Sequence, residues 1–180
     1  MKIKAFVVTY NRLKSLKRVV ECLKNQTETI DEILIINNSS TDGTDKWLKT
    51  QKNITVIHQE NLGGAGGFNR GVEYCYKNNA DWIWMMDDDV YPEKNALETM
   101  INYKSISECI IPNRLYSDNT EVIWGGIYDF EKRRLVKSTR PIEQENKDFY
   151  YVNTCCFEGT LISANLVSKI GYPDKRFFIS

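Results

Sequence analysis

Several absences narrow the possibilities for this chain before any motif is read. It has a single histidine, His58, at the end of a predicted strand, where a lone histidine reads as structural. Its five cysteines, Cys22, Cys75, Cys109, Cys155 and Cys156, form an odd set with no C-x-x-C spacing. That pattern argues against a zinc site and against a disulfide framework, and reduced, mostly buried thiols fit a cytosolic protein. Cys155 and Cys156 are adjacent and read as strand residues facing opposite ways. There is no excess of either charge, with 24 basic and 24 acidic residues, and no charged tail. Nothing in the bulk electrostatics therefore advertises nucleic acid. No stretch approaches the roughly 18 apolar residues of a membrane span. The opening MKIKAFVVTYNR is too short in its apolar part for a signal-peptide core. Internal repeats and low-complexity linkers are also missing.

What remains is a chain of 180 residues, enough for one domain with a real core. Its first half alternates two patterns. KAFVVT (4–9), EILIIN (32–37), ITVIH (54–58) and WIWMM (82–86) are short, nearly continuous apolar runs. Between them, LKSLKRVVECL (13–23) sets Leu13, Leu16, Val19, Val20 and Leu23 on one helical face. A short helix through Trp47 and Leu48 has Ser40, Thr41 and Asp42 as candidate caps. Further helices are expected near 68–78 and over ALETMINY (96–103). Apolar strands alternating with helices imply βαβ units and a mostly parallel sheet covered on both faces, an α/β sandwich. After about residue 108 the pattern loosens. CIIP, EVIWGGIYDF, RRLVKS and FYYVNTCCF read as strands of a mixed or antiparallel part, and ISANLVSKIGY closes as a helix with Gly171 as its cap. One domain with two unlike halves, 1–107 and 108–180, is the simplest reading.

Each of the first four strands runs into a polar or glycine-rich cluster. The first meets Thr9, Tyr10, Asn11 and Arg12; the second meets NNSSTDGT (37–44); the third meets ENLGGAGGFNRG (60–71); the fourth meets Asp87, Asp88 and Asp89. Right-handed crossovers bring all four to one carboxyl edge, where open α/β sheets bind ligands. The glycines of GGAGG suit close approach of backbone to a phosphate or a sugar ring. They could equally punctuate a turn. The dinucleotide fingerprint fails at Asn69, and the Walker pattern fails at Val72 and Glu73. Arg70 reads as a phosphate partner or as a solvated helix residue.

The triplet Asp87-Asp88-Asp89 poses an energetic problem. Two carboxylates about 4 Å apart repel by roughly 4 kcal/mol at an effective dielectric near 20. Solvated carboxylates ahead of the next helix would be one answer. An EF-hand is not, because Pro92 stands where its glycine belongs. A hard divalent cation, Mg²⁺ or Mn²⁺, is the reading that also uses the glycine-rich segment. Asp87 and Asp89 would project from one side of an extended backbone and hold it, leaving Asp88 to point toward a ribose hydroxyl. Trp82 and Trp84 read as core. Trp124 reads as core or as a sugar-stacking surface, and Lys132, Arg133 and Arg134 as a solvated turn.

The ordered set TYNR, NNSSTDGT, NLGGAGGFNRG and MDDDV resembles the family 2 glycosyltransferases of the GT-A fold. The likeness is closest to bacterial galactofuranosyl- and rhamnosyltransferase-like members and covers nearly the whole chain. CCFEGTLISANLVSKIGYPDKRFFI is similar to the family's segment ahead of its catalytic acidic motif. The resemblance implies a nucleotide-sugar donor, a saccharide or lipid-linked acceptor, and transfer with inversion. It places Thr9, Tyr10 and Arg12 near the nucleotide, and Asn37 and Asp42 at base and ribose. Asn61, Gly64, Gly67 and Asn69 would border the diphosphate or donor sugar. Asp87 and Asp89 match the metal-binding D-x-D, and Gly159 the floor of the sugar pocket. The resemblance also implies a cytoplasmic location, at the inner face of a membrane. Two departures stand out. Asn37 replaces the usual aspartate, which loosens base preference. The family's catalytic base lies beyond a segment like RFFI, so it is expected past Ser180, in a chain truncated before its acceptor half. Glu158 and Asp174 are the nearby carboxylates, and neither is assigned as base. Two other readings share the sheet: a sugar nucleotidyltransferase, which normally carries a glycine-rich basic loop after the first strand, and a binding module that has lost its base.

Overall fold

The computed structural model describes residues 1–120, 126–137 and 148–177. In chain order the elements are β1 (Ile3–Thr9), α1 (Leu13–Lys24), β2 (Glu32–Asn37), α2 (Thr44–Leu48), β3 (Ile54–His58), α3 (Gly63–Lys77) and β4 (Trp82–Asp87). They continue with α4 (Ala96–Ile101), β5 (Cys109–Ile110), β6 (Gly126–Asp129), β7 (Arg134–Lys137), β8 (Thr160–Ser163) and α5 (Ala164–Ile170). The chain forms two compact units, Met1–Pro112 with the residues from Phe157 onward, and Asn113–Cys156.

The larger unit is a six-stranded sheet in the order β3-β2-β1-β4-β8-β5. The first four are parallel, and β8 runs antiparallel to both β4 and β5. Every residue of β1 is buried, as a central strand covered on both faces requires. Side-chain alternation divides the core in two. Ala5, Val7, Ile35, Trp84 and Met86 pack with Leu16, Val19 and Leu97 on the side of α1 and α4. Phe6, Val8, Leu34, Ile36, Ile83 and Met85 pack with Phe68, Val72 and Val167 on the side of α3 and α5. The result is the α/β sandwich that the sequence pattern implies. In the smaller unit, β6 and β7 form an antiparallel hairpin. Asn153 braces it, accepting from Tyr128 N at 2.6 Å and donating to Tyr128 O at 3.0 Å.

The largest departure concerns the glycines. The sequence pattern opens a helix near residue 68 after a glycine-rich turn, whereas α3 begins at Gly63 and the glycines are its first turns. Glycine costs about 1 kcal/mol relative to alanine inside a helix, which is why the segment reads as a loop. Contact with the sheet overrides that cost. A Cβ on Gly67 would lie 2.4 Å from Val8 Cγ1, and one on Gly71 2.3 Å from Phe6 Cε2. These two residues, one helical turn apart, let α3 lie directly on β1.

Other expectations are corrected further along. FYYVNTCCF contains no strand, and the strand forms instead at Thr160–Ser163. Cys155 and Cys156 are therefore not strand residues. All five cysteines are free, but only Cys75 is buried. Burial pushes its thiol up to about 12, so it is unreactive. Gly171 ends α5, whose start is capped by Ser163 Oγ accepting from Leu166 N. The expectations for Trp124 and for RFFI beyond Phe177 lie outside the described residues.

Two predictions follow from this packing. Alanine normally stabilises a helix relative to glycine by about 0.5–1 kcal/mol. At position 71 the sign reverses, because overpacking costs about 1–3 kcal/mol. Gly71→Ala is expected to lower the urea-unfolding free energy, whereas an exposed glycine-to-alanine change in a helix would raise it. The second concerns Glu32, whose Oε2 is 2.5 Å from Lys4 Nζ, while Oε1 accepts from Thr55 Oγ1 at 2.6 Å and Tyr74 OH at 3.0 Å. Burial raises this carboxyl, but the three hydrogen bonds outweigh it and hold it below its ordinary 4.5. A depressed folded value means stability that is complete above the unfolded value and lost as pH falls through the folded one. Between about pH 5 and pH 3 the wild type should lose more unfolding free energy than Glu32→Gln.

Candidate functional site

The parallel register sets the strand ends level. Thr9 is opposite Asn37, Asn37 opposite His58, and Val8 opposite Asp87. From β1 the chain steps outward through β2 and β3, then returns on the other side of β1 as β4. The switch point of the sheet therefore lies between β1 and β4, the place where open α/β sheets leave a crevice at their carboxyl edge. The TYNR segment and the aspartate triplet meet there.

Asp87 is the last residue of β4, and the chain turns at once, with Val90 N donating to Asp87 O at 3.4 Å. The triplet is thus a turn and not the extended alternation expected from sequence. Asp87 and Asp89 nevertheless act on one another. Burial pushes the Asp87 carboxyl up to about 6, reinforced by the negative charge of Asp89 and, more weakly, of Asp88, while Arg12 opposes the rise. Asp88, expected to point toward a ribose hydroxyl, is turned inward. It is buried, accepts a 2.6 Å hydrogen bond from Thr9 Oγ1, and is bonded to the backbone of Tyr10. Burial raises its carboxyl, and Thr9 and Arg12 pull the other way. Asp88 is a brace between β4 and the segment after β1. Asp89 is exposed and accepts from Arg12 NH1, which also lies 3.8 Å from Asp88 Oδ1.

The neighbouring loops are tied to this brace. Asn11, at φ 53°, accepts from Thr41 N at 2.7 Å, and its own N–H donates to Ser40 Oγ at 3.0 Å. Asp42, expected at the ribose, accepts from Leu13 N at 2.8 Å and from Thr44 Oγ1 at 2.6 Å. It supplies the start of α1 with the cap and negative charge that α1 lacks. Asn37 is buried; its Oδ1 accepts from Ser40 N at 3.0 Å, and its amide nitrogen is 3.4 Å from His58 Nδ1. Asn61 Oδ1 accepts from Gly63 N at 3.0 Å, opening α3, and half-buried Gly64 follows in its first turn. Tyr10 is exposed beside these loops.

Three residues expected at the donor make contacts within the fold. Gly67 is closed off by Val8. Asn69 donates to Pro173 O at 2.7 Å. Gly159, at φ +84°, lies beneath the triplet, where an added Cβ would meet Pro112 Cγ at 3.0 Å and Val90 Cγ1 at 3.9 Å. Its N–H donates to Met85 O and its O accepts from Trp84 Nε1 at 2.9 Å. Arg70 pairs with Glu73 at 3.3 Å, which favours the solvated-helix reading. Asp174 is chelated by Arg176, whose hydrogen bonds hold it at about 2, too acidic for a general base. Sequence reasoning overlooked Asn11 and Asn38 as hubs. Asn38 donates to Gly63 O at 3.2 Å and accepts from Gln59 Nε2 at 2.7 Å. The signal was available, since asparagine is the usual non-glycine choice at positive φ and as a loop brace.

No three His, Cys, Asp or Glu side chains among the described residues converge as a metal cage. The donor set at the triplet fits a different type of site. Two neighbouring carboxylates at a strand end are what a hard cation takes when substrate phosphates and water complete its shell.

This fold is that of the GT-A glycosyltransferases, and residues 5–171 match the profile described as "Glycosyl transferase family 2". The chain belongs to that family. It is 28% identical over 191 residues to the galactofuranosyltransferase GlfT1 of Mycolicibacterium smegmatis, an alignment covering 97% of this chain and 60% of that one. It is 27% identical over 135 residues to the glycosyltransferase GlyG of Streptococcus pneumoniae, covering 72% of this chain and 40% of that one. Among solved structures it is similar to the mannosyltransferase PcManGT of Pyrobaculum calidifontis in complex with GDP-Man and Mn²⁺. That match has a TM-score of 0.67 at 16% identity, over 97% of this chain and 48% of the other. The S. aureus TarS structure in complex with UDP matches with a TM-score of 0.68 at 17% identity, over 98% of this chain and 51% of the other. The chain thus spans about 60% of the length of the galactofuranosyltransferases it matches. No helix among the described residues is long and apolar enough to cross a membrane.

The brace itself can be tested. Thr9→Val keeps the side-chain shape and removes the hydroxyl, leaving a buried carboxylate short of a donor, which costs about 1–3 kcal/mol. Thermal unfolding should show Thr9→Val destabilised and Thr9→Ser close to wild type.

Proposed function

We propose that this chain is the donor-binding part of a glycosyltransferase that uses a nucleotide-sugar, UDP- or dTDP-linked, and a divalent cation. The acceptor would be a saccharide or a lipid-linked saccharide, and the transfer would invert the anomeric centre. The observation that carries the reading is the aspartate triplet at the switch point of the sheet, level with the TYNR segment. Family membership supports it, as do the ligands of the structural neighbours, GDP-Man with Mn²⁺ in one and UDP in the other.

In this reading Asp87 and Asp89 hold Mn²⁺ or Mg²⁺. When bound, the cation supplies charge neutralisation for the departing nucleoside diphosphate. Thr9, Tyr10 and Arg12 border the nucleotide, and Asn37 and Asp42 keep the β2 loop in place beside it. Asn37 spends its amide on Ser40 N and approaches His58, so its part in base recognition is one of support. The first turn of α3, with Asn61 and Gly64, presents backbone N–H groups suited to an anion. Gly67 and Gly159 contribute by letting α3 and the segment before β8 pack closely. The acceptor hydroxyl attacks the anomeric carbon, the bond from that carbon to the diphosphate oxygen breaks, and a general base takes the hydroxyl proton. A work site at the cytoplasmic face of a membrane fits the lipid-linked acceptor.

Calorimetric titration tests the assignment. UDP, GDP and dTDP are titrated with and without Mn²⁺ into the wild type and Asp89→Ala. The expected result is Mn²⁺-dependent binding of one nucleotide by the wild type and its loss in the variant. Unchanged affinity in Asp89→Ala would refute the metal assignment. The preferred nucleotide-sugar at a hundredfold excess over its dissociation constant stabilises the fold by about 2.7 kcal/mol, which a thermal-shift screen detects.

A further inference from the structure

Arg12 is placed unusually for a residue that only binds a donor. It stands between the last residue of β1 and the first of α1, with φ −134° and ψ 46°, and its side chain makes no helix cap. Instead NH1 donates to Asp89 and approaches Asp88 Oδ1 to 3.8 Å. Among the described residues it is the one cation paired with the triplet. The pairing is asymmetric. The Asp88 side chain is 6% exposed and is committed to Thr9, whereas those of Asp89 and Arg12 are 49% and 56% exposed. Arg12 can therefore leave Asp89 without disturbing the buried brace. The oxygen it engages on Asp89 is one of the two through which that carboxylate can reach a cation.

The geometry points to Arg12 as a built-in counterion of the aspartate triplet, one that occupies Asp89 in the cation-free protein and is displaced when a divalent cation binds. The inference rests on the cation reading above and adds a competition to it. Three carboxylates at the end of a buried strand need positive charge in both states of the protein. The guanidinium supplies it in one state and the cation in the other. Two positive groups on the same exposed carboxylate repel each other, so each weakens the other's hold. An exposed ion pair is weak enough to be exchanged, which suits a site that must load and release.

The test uses Mn²⁺ alone, titrated calorimetrically and followed in parallel by the loss of its free electron-spin resonance signal. The expected result is that Arg12→Ala binds Mn²⁺ about three- to fivefold more tightly than the wild type, the change that release of an exposed pair would give. Arg12→Lys, which keeps the charge and loses the forked reach, should fall between the two. Arg70→Ala, which removes a cation paired elsewhere on Glu73, should match the wild type. A second readout is thermal stability. Arg12→Ala should melt lower than the wild type in a chelator and recover most of the difference when Mn²⁺ is added. If Arg12→Ala binds Mn²⁺ no more tightly than the wild type while Asp89→Ala binds none, the cation site stands and the counterion role falls. If no variant binds Mn²⁺, both fall together. Should Arg12→Ala fail to fold, Arg12→Gln carries the same expectations with more of the side-chain length retained.

Discussion

The hydrogen bond from Thr9 to Asp88 is the contact on which the site depends. It closes the gap between the two central strands at the point where the sheet reverses its direction of growth. Register makes it possible, since Val8 lies beside Asp87 and the next residue on each chain is then within reach. With Asp88 turned inward, Asp87 and Asp89 are left on either side of the turn. A buried carboxylate held by a hydroxyl and a backbone amide costs less than one left alone, because each donor offsets part of its lost hydration. The fold thus spends one of its three aspartates on fixing the other two.

The same economy of space governs the opposite side of β1. Gly67 and Gly71 bring α3 onto Val8 and Phe6 without intervening side chains. A helix set one side chain farther out would carry its first turn, and Asn38's bond to Gly63, away from the level strand ends. Glycine is a poor helix former, so local preference and global packing disagree here. Such disagreements concentrate at functional sites, where geometry is selected over local stability.

How much of this was legible in the sequence depends on which force set each feature. The four parallel strands and α1 were readable to within a residue or so, because apolar periodicity records burial directly. The convergence of polar clusters was readable too, since it follows from parallel strands and right-handed crossovers. The start of α3 was not, because its glycines are explained only by the strand beneath them. The division of labour within the triplet was also hidden. Three identical residues in a row carry no mark of which one meets Thr9 and which meet solvent. Asp42 illustrates the same limit: its role at the start of α1 is set by a residue 29 positions earlier in the chain. In the second half, short strands and polar loops gave no strong period, and FYYVNTCCF was read as strand from β-branched and aromatic content alone. Composition favours a strand only where a partner edge exists, and β8 takes the place beside β4.

Asn37 shows how a departure from a family pattern can be absorbed. An aspartate at this position would add a negative charge to the buried end of β2. The amide removes that charge while keeping an oxygen for Ser40 N, and it adds a donor directed at His58. The loop geometry survives, and the local field becomes less negative. In a site already holding three carboxylates and one guanidinium, each carboxylate removed at the edge shifts the balance toward the guanidinium at the centre. With Arg12 as the single counterion of three carboxylates among the described residues, the cation-free site stays net negative, and the exposed face of Asp89 is the place where charge can be exchanged.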